Sequence, residues 1–314
     1  MTDWQPTAPR QNLQARAALL GRIRGFFLNR GVLEVETPLM SQAGNTDPEI
    51  QSIMTTHRRY LRTSPEFAMK RMLSAGSGDI YELGRVFRAA ESGRNHNTEF
   101  TMLEWYRVGF SYHQLMDEVA ELVISCGNKA FDDWPIQKLS YRELYQQYAG
   151  IDPFEASAEE MASVAAQYGI SDIDLNRRQW LDLLISHIIQ PALPENALTF
   201  VYDFPPDQAA LAKITQDSTP VAQRFELYLG RNELANGYQE LSDGAQQQQR
   251  FDAENSARLS RGEPMCQVDQ NLIAALKSGM PECAGVAMGV DRFLMAICQA
   301  KSIEEVIAFP DSRA

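Results

Sequence analysis

The stretch FRAAESGRNHNTEFTMLEWYR, Phe87 to Arg107, sets three Arg, three Glu, one His and four aromatic rings within 21 positions. A surface loop seldom needs so many rings, and a core strand cannot bury so many charges without partners. Read as two antiparallel strands joined by a loop over Glu91 to Asn97, the segment turns Arg88, Arg94 and His96 toward one ligand. Guanidinium and imidazole donors of this kind suit phosphate. Strand alternation predicts Phe100, Met102, Glu104 and Tyr106 on one face, with Thr101, Leu103 and Trp105 on the other. Phe100 then offers a ring to a flat partner, and Glu104 accepts from a cationic amine.

A second cluster is Glu226, Glu233 and Glu240, spaced by seven residues each time. Odd spacings alternate faces on a continuous strand, so a bulge or turn must intervene if all three point inward. Gly230 and Asn236-Gly237 are the expected break points. Such carboxylates could hold magnesium, which takes one or two carboxylates plus substrate phosphates; glutamates on a solvated edge strand would look the same. In a third cluster, GVAMGVDR, Gly285 and Gly289 permit close approach to backbone, and Arg292 opens a helix. A cation at a helix N-terminus opposes the dipole, which points to an anionic ligand nearby. A glycine-rich strand packed under a helix is the alternative.

The elements that must carry these residues follow from periodicity. Leu13, Ala17, Leu20, Ile23 and Phe27 predict a helix with Asn12 as N-cap and Gly31 at the C′ position. VLEVETPLM alternates as a strand ended by Pro38, and HRRYLRTSPEF and DIYELGRVFRAA read as further strands. From Ser111 to about Gln190 the pattern is helical, with a Ser157–Glu160 capping box and RQWLDLLISHIIQ as an amphipathic helix. LTFVYDFP and RFELYLGRNELANGYQEL return to strands, GAQQQQRFDAENSARLSRG is a polar helix, and GVAMGVDRFLMAI is a strand running into a helix. Strands, helical insert, strands, helix: the expected class is α+β around an antiparallel sheet.

Composition bounds the function. Forty-four per cent hydrophobic and 22 per cent charged residues suit a soluble globular protein, and the net charge of −12 opposes a broad nucleic-acid-binding face. Four scattered Cys with no CxxC pair suggest free thiols rather than a zinc site or disulfide framework. MTDWQPTAPRQ has no apolar signal-peptide core, and no apolar run reaches membrane-spanning length. A cytoplasmic location is expected, with no membrane association.

From about Arg16 onward the chain resembles the catalytic core of class II aminoacyl-tRNA synthetases, most closely the lysyl type. A long helix followed by GVLEVETPLM, with Pro38, resembles motif 1; FRAAESGRNHNTEFTMLEWY resembles motif 2; GVAMGVDRFLMAI resembles motif 3. The resemblance implies an antiparallel sheet flanked by helices, a homodimer formed through motif 1, ATP as substrate and Mg2+ as cofactor. It assigns Arg88 to the α-phosphate and the substrate carboxylate, Phe100 to adenine stacking, His96 to phosphate, and Arg292 to the γ-phosphate and the adenine. Arg88 and Arg292 are thereby the catalytic pair, with Glu91, Leu234 and Gly289 also at the ATP site. Glu226 and Glu233 match metal-binding and ATP-binding glutamates. Ser64, Pro65, Glu66, Glu104, Tyr106, Asn236, Tyr238, Glu240 and Ala287 fall to the lysine pocket, where each buried cation needs a paired acceptor.

Departures from the lysyl pattern refine the expectation. Only about 15 residues precede the matching region, so one catalytic domain over 1–314, with a helical insert at about 111–190 and no anticodon-binding domain, is expected. This architecture resembles the elongation factor P–lysine ligase family, which activates (R)-β-lysine and attaches it to a lysine of elongation factor P. Ala287 stands where lysyl enzymes have glycine, and its methyl would favour a β-amino over an α-amino substrate. Arg88-Ala89-Ala90 replaces the usual Arg-Asn-Glu, with Glu91 next door as a substitute. Three rival readings stay open: a ligase acting on transfer RNA, disfavoured by the acidity; an idle amino-acid-sensing paralogue; and ligation of a free amino acid.

Overall fold

A computed structural model describes residues 4–89 and 91–314; Ala90 of the motif 2 departure and Met1 to Asp3 lie outside the described residues. The chain begins with α1 (Arg10–Leu28), followed by the short strands β1 (Leu33–Glu34), β2 (Met40–Ser41) and β3 (Tyr60–Leu61). Next come α2 (Glu66–Ser74), the long hairpin β4 (Ile80–Phe87) and β5 (Glu99–Val108), and α3 (Tyr112–Cys126). The middle holds β6 (Ile136–Ser140), α4 (Tyr141–Ala149), α5 (Ala158–Gln167), α6 (Arg177–Leu184) and, after a π-helical turn, α7 (Gln190–Ala192). The chain closes with β7 (Leu198–Phe204), β8 (Ala222–Leu229), β9 (Asn232–Gln239), α8 (Gly244–Ser260), α9 (Gln270–Gly279), β10 (Cys283–Gly289) and α10 (Val290–Cys298).

Eight strands form one sheet in the order β1-β4-β5-β10-β9-β8-β7-β6. The six from β4 to β7 in that order are mutually antiparallel, while β1 and β6 join the two edges in parallel. The expected antiparallel α+β sheet is therefore present, with a parallel strand at each rim.

The two sheet faces differ sharply in chemistry. Leu103, Trp105, Val286 and Met288 point into the main core against α1, α3 and α10, joined by Phe225, Leu227 and Phe27. Each such side chain, fully buried, contributes about 1.5–3 kcal/mol. The alternate residues of the same strands, Met102, Glu104, Tyr106 and Ala287, face an open cleft. The stretch 111–190 divides between two cores. Its first helix, α3, packs into the main core, whereas α4 to α7 gather around Tyr141, Tyr145, Trp180 and Leu184.

Several local expectations hold. Gly31 adopts φ +69°, with Val32 N–H donating to Phe27 O and Gly31 N–H to Leu28 O, a Schellman closure of α1. The Ser157–Glu160 capping box starts α5, and Gly230 turns the β8–β9 hairpin with φ +58°.

Others are corrected. Asn12 is not an N-cap: Pro9 starts the helix with extended backbone, and the buried Asn12 donates its amide to Glu305 O at 2.9 Å. The buried stripe of α1 runs Asn12, Leu19, Ile23 and Phe26-Phe27, and Ala17 is exposed. Arg16, which hydropathy assigns to solvent, turns inward to Asp291 and rotates the stripe by about one residue. The VLEVETPLM strand is cut to two residues because Arg62 takes the oxygens of Thr37 before Pro38. TSPEF begins a helix rather than ending a strand, with Pro65 preceding Glu66 and Ser64 Oγ accepting the Glu66 N–H. The insert contains β6, a short and largely polar edge strand without a strong apolar signature.

Candidate active site

Cross-strand register assembles the cleft floor. Glu82, Glu104, Ala287, Asn236 and Glu226 form one row across β4, β5, β10, β9 and β8. Tyr106, Gly285, Tyr238 and Arg224 form the next. The break required by the glutamate spacing lies elsewhere than Asn236-Gly237, which runs as ordinary strand. Leu227 pairs with Ala235 but Tyr228 pairs with Glu233, so Leu234 is the extra residue of a bulge. That single insertion returns Glu233 to the face that carries Asn236, Tyr238 and Glu240. Gly237 is required for packing instead, since a Cβ there would lie 2.4 Å from the Phe225 ring.

One end of the cleft is cationic. Arg88 lies 5.2 Å over the Phe100 ring and donates to Glu91 at 2.9 Å, and its Nε has no hydrogen-bond partner among the described residues. Arg292 donates to Glu233 O at 3.0 Å and to Nε2 of His96. Burial, then the neighbouring Arg292, pulls the His96 pKa below its ordinary value, which leaves a neutral ring able to accept. Asp291 anchors the start of α10: it pairs with Arg16 at 2.5 Å and accepts the Thr101 N–H at 2.6 Å. Arg292 is thus held by the sheet that carries Phe100. Arg94 departs from expectation. It is exposed, donates to Lys301 O and stays outside this cleft, because the loop closes on Gly93–His96 and turns its side chain outward.

The other end is acidic. Glu104 accepts from Ser64 Oγ at 2.6 Å and from Tyr106 OH at 2.7 Å. Burial, reinforced by Glu66, pushes the Glu104 pKa up to about 8. Lys70, fully buried on α2, places Nζ 2.6 Å from both Glu66 and Glu240. Burial lifts Glu240 to about 7 even though Lys70 opposes the shift. Gly285 lets this cluster close up: a Cβ there would lie 2.4 Å from Glu240 Oε1 and 2.4 Å from the Tyr106 ring.

The residues fit a magnesium ion accompanied by phosphates. The Glu233 carboxylate makes no hydrogen bond to any described residue, and burial together with Glu226 raises its pKa to about 7 although Arg292, Arg224 and Arg88 oppose the shift. Glu226 itself is occupied by Arg224 at 2.5 Å and by Tyr228 OH at 2.7 Å and does not reach the cleft wall. No group of three or more metal-ligating side chains occurs among the described residues.

The cleft brings together Ser64, Glu66, Arg88, Glu91, His96, Phe100, Glu104, Tyr106, Glu233, Leu234, Asn236, Tyr238, Glu240, Ala287, Gly289 and Arg292. Pro65 is left out and serves as the residue before α2. A Cβ at Gly289 would meet only Arg292, at 3.9 Å or more, so the protein itself does not demand glycine there. Sequence reasoning missed Lys70, Asn95, Asn97 and Asp291. The SPE-F-A-M-K spacing, an acid and a base at i and i+4 on a helix, was the available signal for Lys70.

The chain belongs to the class II tRNA synthetase family: the model of tRNA synthetases class II (D, K and N) matches residues 1–313. Within that class, its full-length relatives carry a more particular name. The elongation factor P–(R)-β-lysine ligase of Vibrio cholerae serotype O1 is 47% identical, covering 100% of this chain and 99% of its own. Proteins of the same name from Yersinia enterocolitica (45%; 99% and 98%) and Yersinia pestis (46%; 98% and 97%) are similar over the same extent.

Proposed function

We propose that this chain is an ATP-dependent ligase that activates (R)-β-lysine, and more weakly α-lysine, and transfers it to a lysine side chain of elongation factor P. The observation that carries the reading is the polarity of one cleft, with Arg88, His96 and Arg292 at one end and Glu66, Glu104 and Glu240 at the other. An acid bearing two amines and a nucleotide bearing phosphates fit those ends in one orientation only. The names and full-length coverage of the relatives support the same activity.

In the first step a carboxylate oxygen of the amino acid attacks the α-phosphorus of ATP. The bond to the bridging oxygen breaks, and pyrophosphate leaves with its electron pair. Arg88, 5.2 Å over the Phe100 ring, orients the attacking and phosphoryl oxygens and offsets their growing charge. Arg292 holds the outer phosphates, and neutral His96 keeps its guanidinium in place. Glu233 would hold Mg2+, which would supply charge neutralisation to the phosphates, and Glu226 could join it only by releasing Arg224. In the second step the ε-amine of the acceptor lysine attacks the acyl carbon, the mixed anhydride opens, AMP departs, and the amine loses a proton. No side chain serves as nucleophile.

A homodimer through the motif 1 region accompanies this reading. Leu28, Leu33, Leu39 and Met40, close in sequence, are 78, 56, 46 and 56% exposed, apolar side chains that a second copy would cover. A cytoplasmic enzyme is consistent with the absence, among the described residues, of any helix long and apolar enough to cross a membrane. Transfer RNA is a poor acceptor for a chain of charge −12. ATP–pyrophosphate exchange tests the first step: exchange above background with (R)-β-lysine is expected, and background exchange with every lysine isomer would favour an idle paralogue.

A further inference from the structure

The acidic end of the cleft contains a cation of its own. Lys70 is the middle of the buried face of α2, flanked by Met69 and Leu73, and its ammonium is 1% exposed. It lies 2.6 Å from Glu66 Oε1 and 2.6 Å from Glu240 Oε2, carboxylates that come from α2 and from the residue that follows β9. Glu104, beyond Glu66, is held by uncharged donors alone, Ser64 and Tyr106. Acidic and basic groups farther along the row cancel locally: Glu82 pairs with Arg62 at 2.5 Å, and Glu226 with Arg224 at 2.5 Å. With all three acids ionised, the charge facing a ligand at this end is −3 from Glu66, Glu104 and Glu240, plus +1 from Lys70, a total of −2, and an incoming amine reaches it by displacing the proton that burial favours on Glu104.

We propose that Lys70 is a positioning residue for the amino-acid substrate: its ammonium clamps Glu66 and Glu240 at a fixed separation, so that once all three acids are ionised the pocket presents two units of negative charge, the number a diamino acid neutralises. The inference rests on the lysine-like substrate proposed above. A pocket of three unclamped carboxylates would repel itself and take up a proton, as paired acids do. A pocket without the acids would reject a dication. Lys70 offsets part of that repulsion at Glu66 and Glu240 without occupying Glu104, whose side chain remains available to an incoming amine. Burial opposes the charge on Lys70, but the attraction of Glu240 and Glu66 outweighs it and raises its pKa, so the clamp stays ionised.

The titratable groups around the clamp are Glu66 on its own helix, Glu240 after β9, Glu104 and Tyr106 on β5, Tyr238 on β9 and Cys283 on β10. Loss of the Lys70 charge must be met by protonation within this set. The experiment compares the full-length protein with Lys70→Gln, which keeps hydrogen bonding without charge, and Lys70→Ala, which leaves room for an added cation. ATP–pyrophosphate exchange gives KM and kcat for (R)-β-lysine. Calorimetry in two buffers of different ionisation enthalpy gives the protons released on binding it.

For Lys70→Gln we expect KM to rise by on the order of tenfold or more, since a buried charge partner is lost, with kcat and the KM for ATP within about threefold. Binding then releases about one proton more than in the parent protein. In Lys70→Ala, added ethylammonium restores the low KM, and ethanol does not. Unchanged KM and proton release in both variants, or a fall in kcat at constant KM without ethylammonium rescue, would overturn the assignment. Should Lys70→Gln fail to fold, the Lys70→Ala rescue decides alone, and should neither fold, Lys70→Arg must retain the low KM or the proposal fails. Absence of exchange by the parent protein with any lysine isomer would instead remove the substrate reading itself, and this proposal with it.

Discussion

Gly285 on β10 lies so close to Glu240 that a methyl group on its Cα would sit 2.4 Å from the carboxylate Oε1. The backbone of a motif 3 glycine thus sets the position of an acid 45 residues earlier in the chain, and the ring of Tyr106 presses on the same spot. Gly285→Ala must displace Glu240 or Tyr106. Steady-state exchange kinetics should show KM for the amino acid raised by at least about tenfold, equal to about 1.4 kcal/mol, with the KM for ATP little changed. An unaltered amino-acid KM would mean that Glu240 does not meet the substrate.

The acidic end should respond to pH in a definite direction. Folded-state pKa values of about 8 for Glu104 and about 7 for Glu240 lie above the ordinary 4.5. Between those limits the native state holds more protons than the unfolded chain, so stability is lost as pH rises. Thermal unfolding of the ligand-free protein should therefore occur at lower temperature at pH 8.5 than at pH 6.

Binding of a dication should reverse that trend. Deprotonated Glu104 and Glu240 attract amines, so KM for a lysine-like acid should fall as pH rises from about 6 to 8.5, below the range where the side-chain amine itself loses its proton. Initial rates across that range provide the check; a KM rising with pH would contradict the pocket assignment.

Ala287 pairs with Glu104 on one side and Asn236 on the other, so its methyl projects from the middle of the cleft floor. Ala287→Gly should shift preference from β-lysine toward α-lysine. The ratio of kcat/KM values should change by a factor matching about 1–3 kcal/mol, the worth of one methyl in a pocket.

Asp291 is 2% exposed and ties α1 to β5 through Arg16 and the Thr101 N–H. Asp291→Ala leaves Arg16 without its carboxylate at a largely buried position. Urea unfolding should show a loss of about 3–5 kcal/mol, and exchange activity should fall because Arg292 is the next residue.

Legibility followed the periodicity of the strands. Alternation on β5 separated Glu104 from Trp105 without error, because each face has a single chemistry. The bulge at Leu234 was only half legible: the glutamate spacing demanded a break, but Asn236-Gly237 carried the stronger local turn signal and lies in a regular strand because Gly237 must admit the Phe225 ring. The buried stripe of α1 was misjudged for a tertiary reason, since Arg16 is drawn inward by an acid 275 residues away. Lys70 was passed over because a lysine on a helix reads as solvent-facing until its two carboxylate partners are placed in space. Motif resemblance singled out Ser64 and Leu234, which local pattern could not and which line the cleft, and also drew in Pro65, whose place is at the start of a helix.

The transfer step is the most direct test. Elongation factor P would be incubated with this protein, ATP, Mg2+ and (R)-β-lysine, and its intact mass read alongside AMP release. The account predicts a gain of one β-lysyl group per acceptor, matched by one AMP and absent in Arg88→Ala. An unmodified acceptor, with the amino acid recovered on transfer RNA, would contradict it.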